Sequence, residues 1–256
     1  MANLVIGYGD RVAGGTVTAS SQLASLPAIH LLDAHLSPKV WRGTANTAQL
    51  IFDFGAAVAI GALALLGTNM TAAGTVRVRL SAASNLGSPT YDTGAAPVPA
   101  GVDPRYRHLI HLLPAPAVGR YLGLDLTDVT LAYLQAGRGW AGTVWRPTRN
   151  YQFNAVKGWN DTTRAAVAES GQIWLERGVT TRTRKFRLPA ITQAEAEGVL
   201  EDWAPTARRE DVLVVFNPDS ANLGRDSIFG LITDGLEAEH GGPRRHGLSL
   251  RITERV

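Results

Sequence analysis

The chain has 256 residues, 45% of them hydrophobic, enough for two domains with buried cores and too apolar for a disordered chain. Lysine and arginine number 25 against 22 aspartate and glutamate, an excess too small and dispersed for a nucleic-acid surface, where a clustered basic stripe is expected. With no cysteine, disulfide frameworks, thiolate metal sites and cysteine nucleophiles are excluded.

Met1 to Gly7 lacks a basic stretch followed by an apolar run, so no secretory signal is expected and folding in the cytosol is. The longest apolar run, Ala56 to Leu66, is too short to cross a bilayer as a helix and reads as a buried strand. Short apolar or alternating runs, punctuated by Gly, Pro, Ser, Asn and Thr, fill the first half. Leu4-Val5-Ile6 and Thr16-Val17-Thr18 open it. Leu50, Phe52 and Phe54 share one face of an alternating strand, and Val58 to Leu66 is apolar on both faces. Val76, Val78 and Leu80 point inward between two outward arginines. An extended loop over 82–105 precedes two further strands, Arg107 to Leu113 and Arg120 to Leu126.

The second half predicts strands at Thr143-Val144-Trp145, Gln172 to Leu175, Thr183 to Leu188, Asp211 to Phe216, Ser227 to Ile232 and Leu248 to Thr253. One helix stands among them, near 192–203. Thr192-Gln193-Ala194-Glu195 is a capping box, and Ala196, Val199, Leu200 and Trp203 recur at helical spacing. The expected architecture is mostly all-β: two β-sandwich or jelly-roll-like domains, residues 1–132 and 133–256, the second with one short α-helix.

Motifs for catalysis are missing from the pattern. Gly137-Arg138-Gly139-Trp140-Ala141-Gly142 has the letters of a dinucleotide fingerprint, but Thr143 to Pro147 cannot be the helix that would hold a pyrophosphate, so tight turns are expected instead and no cofactor. His108 and His111 would point to opposite faces of a strand, and no acid follows closely to complete a metal site. Asp125 and Asp128 flank a turn without the dense acidic loop that calcium needs. Six tryptophans are weighed as binding candidates: Trp174 and Trp203 read as core, Trp140 and Trp145 flank the domain junction, Trp140 and Trp159 are the exposed exceptions, and Trp41 with Arg42 is a possible contact at a turn. Arg182 and Arg184 alternate onto one face, the face of Phe186 and Leu188, and suggest a solvated or subunit-facing strand edge.

Two resemblances join these readings. Val17 to Gln22, Lys39-Val40-Trp41-Arg42, Leu50 to Gly55, Val76 to Ser81 and Arg120-Tyr121-Leu122 resemble strands of the discoidin-type (coagulation-factor C-type) jelly roll over residues 15–127. The sequence departs from that family in lacking its terminal cysteines and a clear Ser-x-Asp-Gly after Ser81. Gly137 to Pro147, Arg184 to Pro189, the capped helix, Asp211 to Pro218 and Arg225 to Gly230 are similar to minor tail proteins of long-tailed bacteriophages. The second resemblance implies a virion subunit of the distal tail or tail tip, assembled in the bacterial cytoplasm into a homo-oligomeric ring with other tail proteins. The first implies the alternative, a carbohydrate-binding module for attachment to a host-surface glycan. Neither implies an enzyme, membrane insertion or nucleic-acid binding.

Overall fold

A computed structural model describes residues 2–34, 39–95, 97–234, 236–242 and 244–255. His35 and the Ser37-Pro38 turn lie outside the described residues, as do the side chains of Leu200 and His240. In chain order the elements are β1 (Val5–Tyr8), β2 (Thr16–Ala19), a 3-10 turn (Ala28–Leu32), β3 (Trp41–Arg42), β4 (Thr47–Leu66), β5 (Thr75–Ser81), β6 (Pro89–Asp92), β7 (Val98–Pro99), β8 (His108–Thr127), β9 (Gln135–Ala136) and β10 (Arg138–Trp145). Then follow β11 (Val156–Asp161), β12 (Arg164–Val167), β13 (Ile173–Glu176), β14 (Thr180–Thr192), α1 (Gln193–Asp202), β15 (Asp211–Val215), β16 (Ser227–Ile232), β17 (Glu237–Gly242) and β18 (Arg245–Glu254). The protein is mostly β, its strand pairs antiparallel, with one short helix.

The chain forms two compact units that are not consecutive in sequence. Unit 1 comprises 1–147 and 210–227; unit 2 comprises 148–209 and 228–256. The single division expected after residue 132 therefore does not describe the molecule. The reason is pairing: β10 runs along β4 (Trp140 opposite Ala64) and along β1 (Val144 opposite Gly7), and β15 returns to close the far side of β1 (Val214 opposite Ile6).

Unit 1 is built on two long strands that each serve two layers. The first part of β4 pairs β2 and the last part of β8, which pairs β5. The last part of β4 pairs β10 and the first part of β8. The register slips between Asp53 and Val58 and again between Ile60 and Ala62. Such bulges bend strands so that they can turn from one sheet into the other. Leu50, Phe52, Ile60, Leu63, Leu65, Val78, Leu109, Leu122 and Leu124 meet in one core cluster, so both layers face a common interior. Two strands expected at 50–55 and 58–66 are thus one strand, as are those expected at 107–113 and 120–126. The expected loop over 82–105 holds the short strands β6 and β7.

The glycines of 137–142 serve close packing. A Cβ on Gly139 would sit 2.8 Å from the Phe52 ring, and one on Gly142 would sit 2.5 Å from the Tyr8 carbonyl and 2.8 Å from the Trp140 ring. They lie in and beside β10, which has no helix after it. Arg138, within this segment, is 3% exposed and donates to Asp10 at 2.7 Å, to Asp211 and to the Ala34 carbonyl at 2.7 Å. Burial pushes the Asp10 carboxyl above its ordinary value, and Arg138 opposes that rise.

In unit 2, β14 lies between β11 and β18, and β18 also pairs β16 and β17. Thr192 caps α1 by accepting from the Glu195 N–H while Glu195 accepts from the Thr192 N–H, the expected capping box. Glu195 also accepts from the Thr148 N–H, so the cap anchors the chain as it enters the unit. Ala196, Val199 and Trp203 are buried.

Removing the buried guanidinium tests its importance. Arg138→Met should destabilise unit 1 by about 3–5 kcal/mol, because two carboxylates are left without their cation; urea unfolding followed by tryptophan fluorescence measures it. At the surface, two hydrogen bonds from Arg77 hold the Asp92 carboxyl at about 2, below its ordinary 3.8. Because the folded value is depressed, this pair stabilises the fold above pH 3.8, and the contribution is lost as pH falls through about 2. In a carboxyl NMR titration, Arg77→Ala should return Asp92 toward its ordinary value.

Candidate functional site

The expected contact residues are placed very differently from one another. Trp41 is 0% exposed, with its indole N–H donating to the Ser21 carbonyl at 3.2 Å. Arg42 is half-buried; its Nε and Nη2 donate to Gln135 Oε1 at 3.0 and 2.7 Å, and its guanidinium stacks 4.3 Å above the Tyr133 ring. Trp140, expected at the surface, is 1% exposed because its ring fills the space left beside Gly7 and Gly142. Trp41 and Trp140 are core residues and offer no stacking plane to a ligand.

Arg182 and Arg184 are also corrected. They are buried, and β14 has a neighbour on each side, so it is not a sheet edge. Arg182 donates from Nε and from its backbone N–H to Glu254, at 2.8 and 3.0 Å. Alternation placed both arginines with Phe186 and Leu188, and that face is covered.

Trp159 is 66% exposed and stands directly opposite Arg182, on β11. It belongs to an arm that sequence reasoning missed. After Asp161 the chain leaves the β11–β14 pair at Thr162, whose N–H donates to the Val179 carbonyl, and continues as β12 and β13. These two strands pair only with each other among the described residues. Arg164 faces Glu176, Ala165 faces Leu175, Ala166 faces Trp174 and Val167 faces Ile173. Residues directly opposite share a face. One face is therefore wholly aliphatic (Ala165, Val167, Ile173, Leu175), and the other carries Trp174 above the Arg164–Glu176 pair.

Every residue of both strands is exposed: Val167 70%, Ile173 67%, Leu175 65% and Trp174 64%. Trp174, expected in the core, is on the surface. A lone two-stranded hairpin is marginal in water, and single soluble chains rarely expose an apolar patch of this kind. The hairpin's local order comes from its turn, where the Ala168 N–H donates to the Gln172 carbonyl and Gly171 takes φ +82°.

The polar groups weighed for chemistry are engaged elsewhere. Asp125 accepts from Arg79 and Gln49 at 2.8 and 2.6 Å, and Asp128 accepts from Thr71 and Thr130. His111 bonds the Tyr91 hydroxyl at 2.8 Å, and burial lowers its pKa. Among the described residues, no three His, Asp or Glu side chains are grouped to hold a metal ion. Unit 1 has an open cleft of about 450 Å³ lined by residues that include Asp103, Arg105 and Asn222, and another of about 380 Å³ beside His108 and His111.

No family model matches the sequence, and no curated protein does. Solved structures align with about half of the chain. A chitosan-binding module of the chitosanase/glucanase from Paenibacillus sp. IK-5 is 18% identical, covering 53% of this chain and 99% of that one, with a TM-score of 0.42. The family 32 carbohydrate-binding module of Clostridium perfringens NanJ, in complex with galactose, is 11% identical over 55% and 99%, at 0.43. The lectin domain of lectinolysin, complexed with Lewis B antigen, is 15% identical over 51% and 94%, at 0.40.

Stability separates the surface tryptophan from the buried one. Trp174→Ser should change unfolding free energy by no more than about 0.5 kcal/mol, whereas Trp203→Ala should cost about 3–5 kcal/mol. Thermal melts followed by circular dichroism distinguish the two; an equal loss for both would mean that the hairpin packs against the body of the protein.

Proposed function

We propose that this protein works by binding and assembly, as a structural subunit that joins copies of itself and neighbouring proteins, without catalysis. The resemblance of residues 133–256 to minor tail proteins gives the setting: a distal-tail or tail-tip subunit of a long-tailed bacteriophage, located in the virion tail. One observation carries the assembly reading. The β12–β13 hairpin displays a wholly aliphatic face to solvent, with Trp174 exposed on the other, a surface that an isolated chain leaves unsatisfied.

A second reading brings in the ligand class named for the solved structures above, glycan binding, through unit 1. The feature of this molecule that favours it is the open cleft with Asp103, Arg105 and Asn222. Asp103 accepts from the Arg105 N–H at 2.8 Å and from Asn222 at 2.6 Å, and these bonds hold its pKa below the ordinary carboxylate value. An ionised carboxylate beside an amide and a guanidinium suits sugar hydroxyls.

Sedimentation of the purified chain over a range of concentrations, with negative-stain electron microscopy, tests the first reading. Concentration-dependent oligomers or rings are expected. A monomer at every concentration that captures no tail protein would overturn it. If such a monomer binds on a glycan array and loses that binding on Asp103→Ala, the second reading takes its place.

A further inference from the structure

Resting on the assembly reading, we propose that the hairpin's partner is the hairpin of a second copy, joined through the outer edge of β13. Backbone geometry supplies the first argument. The bond from the Ala168 N–H to the Gln172 carbonyl fixes which residues of the hairpin bond across it, so that Ala166–Trp174 and Arg164–Glu176 are the hydrogen-bonded pairs. The N–H and C=O groups of Ile173 and Leu175 then point outward, along an edge with no strand beside it among the described residues. Two antiparallel copies of β13 satisfy these groups when Ile173 of one lies opposite Leu175 of the other. That register is two-fold symmetric about Trp174.

Side chains agree with the register. Ala165, Val167, Ile173 and Leu175 of both copies continue as one aliphatic face across four strands, and the two Trp174 rings meet on the other. Glu176 falls opposite Gln172, so no like charges face each other. Another free strand, β11, matches less well: its outward groups belong to Lys157, Trp159 and Asp161, and the aliphatic face would run into a cation and an anion. A lipid surface is disfavoured by the tip, where Glu169, Ser170 and Gln172 precede the apolar residues and would enter the bilayer first. The charged residues of the arm, Lys157, Arg164 and Arg177 against Asp161, Glu169 and Glu176, balance, so neither a basic collar for anionic lipid nor a need for a charged partner exists. Such a contact is isologous and joins copies in pairs, so a ring would need a second, different surface.

The absence of cysteine makes the test direct. Residue 174 would face itself across the axis in a non-hydrogen-bonded pair, where Cα atoms approach to about 4.5 Å. Oxidised Trp174→Cys should therefore form a covalent dimer of the full chain. The double variant Gln172→Cys/Glu176→Cys should also crosslink, with each single variant failing to, and this pair keeps the tryptophan in case its loss weakens association. Ile173→Lys, with an unchanged melting profile, should abolish the dimer in sedimentation. If the wild-type chain oligomerises but neither cysteine variant crosslinks, this contact is wrong and the assembly reading stands. If the wild-type chain remains monomeric at every concentration, this contact is wrong, and the assembly reading fails with it when no tail protein is captured either. Co-sedimentation with anionic phosphatidylserine vesicles that is lost on Ile173→Lys, without crosslinking, would overturn the contact in favour of a membrane partner.

Discussion

Unit 1 depends on one buried guanidinium. Arg138 on β10 reaches Asp10 after β1 and Asp211 at the start of β15, three segments far apart in the sequence. A buried cation is tolerable only with its hydrogen-bonding capacity filled, and two carboxylates and a carbonyl do so. The same contact makes the return of the chain after residue 209 part of unit 1's interior. Asp211 must come back to Arg138, and its strand must lie beside β1. Everything between residues 148 and 209 is thereby an excursion from a body that is incomplete without its last piece.

That arrangement separates two kinds of apolar surface. In unit 1, Leu, Ile and Val from both layers converge on one interior, with Trp41 and Trp140 among the fully buried side chains. In the excursion, β12 and β13 carry equally apolar residues that find no interior. The hydrophobic effect is indifferent to whether apolar area is covered within a chain or between chains. The hairpin is where this protein leaves such area in solvent.

Much of the fold was legible in the residues. The alternation of Val76, Val78 and Leu80 marked β5, and Thr192 with Glu195 marked the start of α1. The parity of Arg182 and Arg184 with Phe186 and Leu188 already implied a covered face, a signal outweighed by their charge. Continuity was harder to see: bulges let β4 and β8 turn from layer to layer, and Gly55 and the prolines at 114 and 116 look like breaks between strands. Discontinuous units are invisible to any local pattern, because they are set by the pairing of residues more than a hundred positions apart. The hairpin was missed for a different reason. Ile173-Trp174-Leu175 has the composition of a core strand, and composition does not say whether the covering surface belongs to the same molecule. The available hint was that both faces are apolar along a strand whose partner, Arg164 to Val167, is just as short.

The interleaved order of the units has a consequence for how the protein is made. As the chain emerges from the ribosome, β1 has β10 on one side from residue 145 onward but waits for β15 on the other. Until residues 211–215 are synthesised, Leu4, Val5 and Ile6 present an open apolar border, and Arg138 lacks its partner Asp211. Unit 1 begins first and finishes late, so a ribosome that stalls between residues 177 and 209 would release a chain with both an unclosed sandwich and a sticky arm.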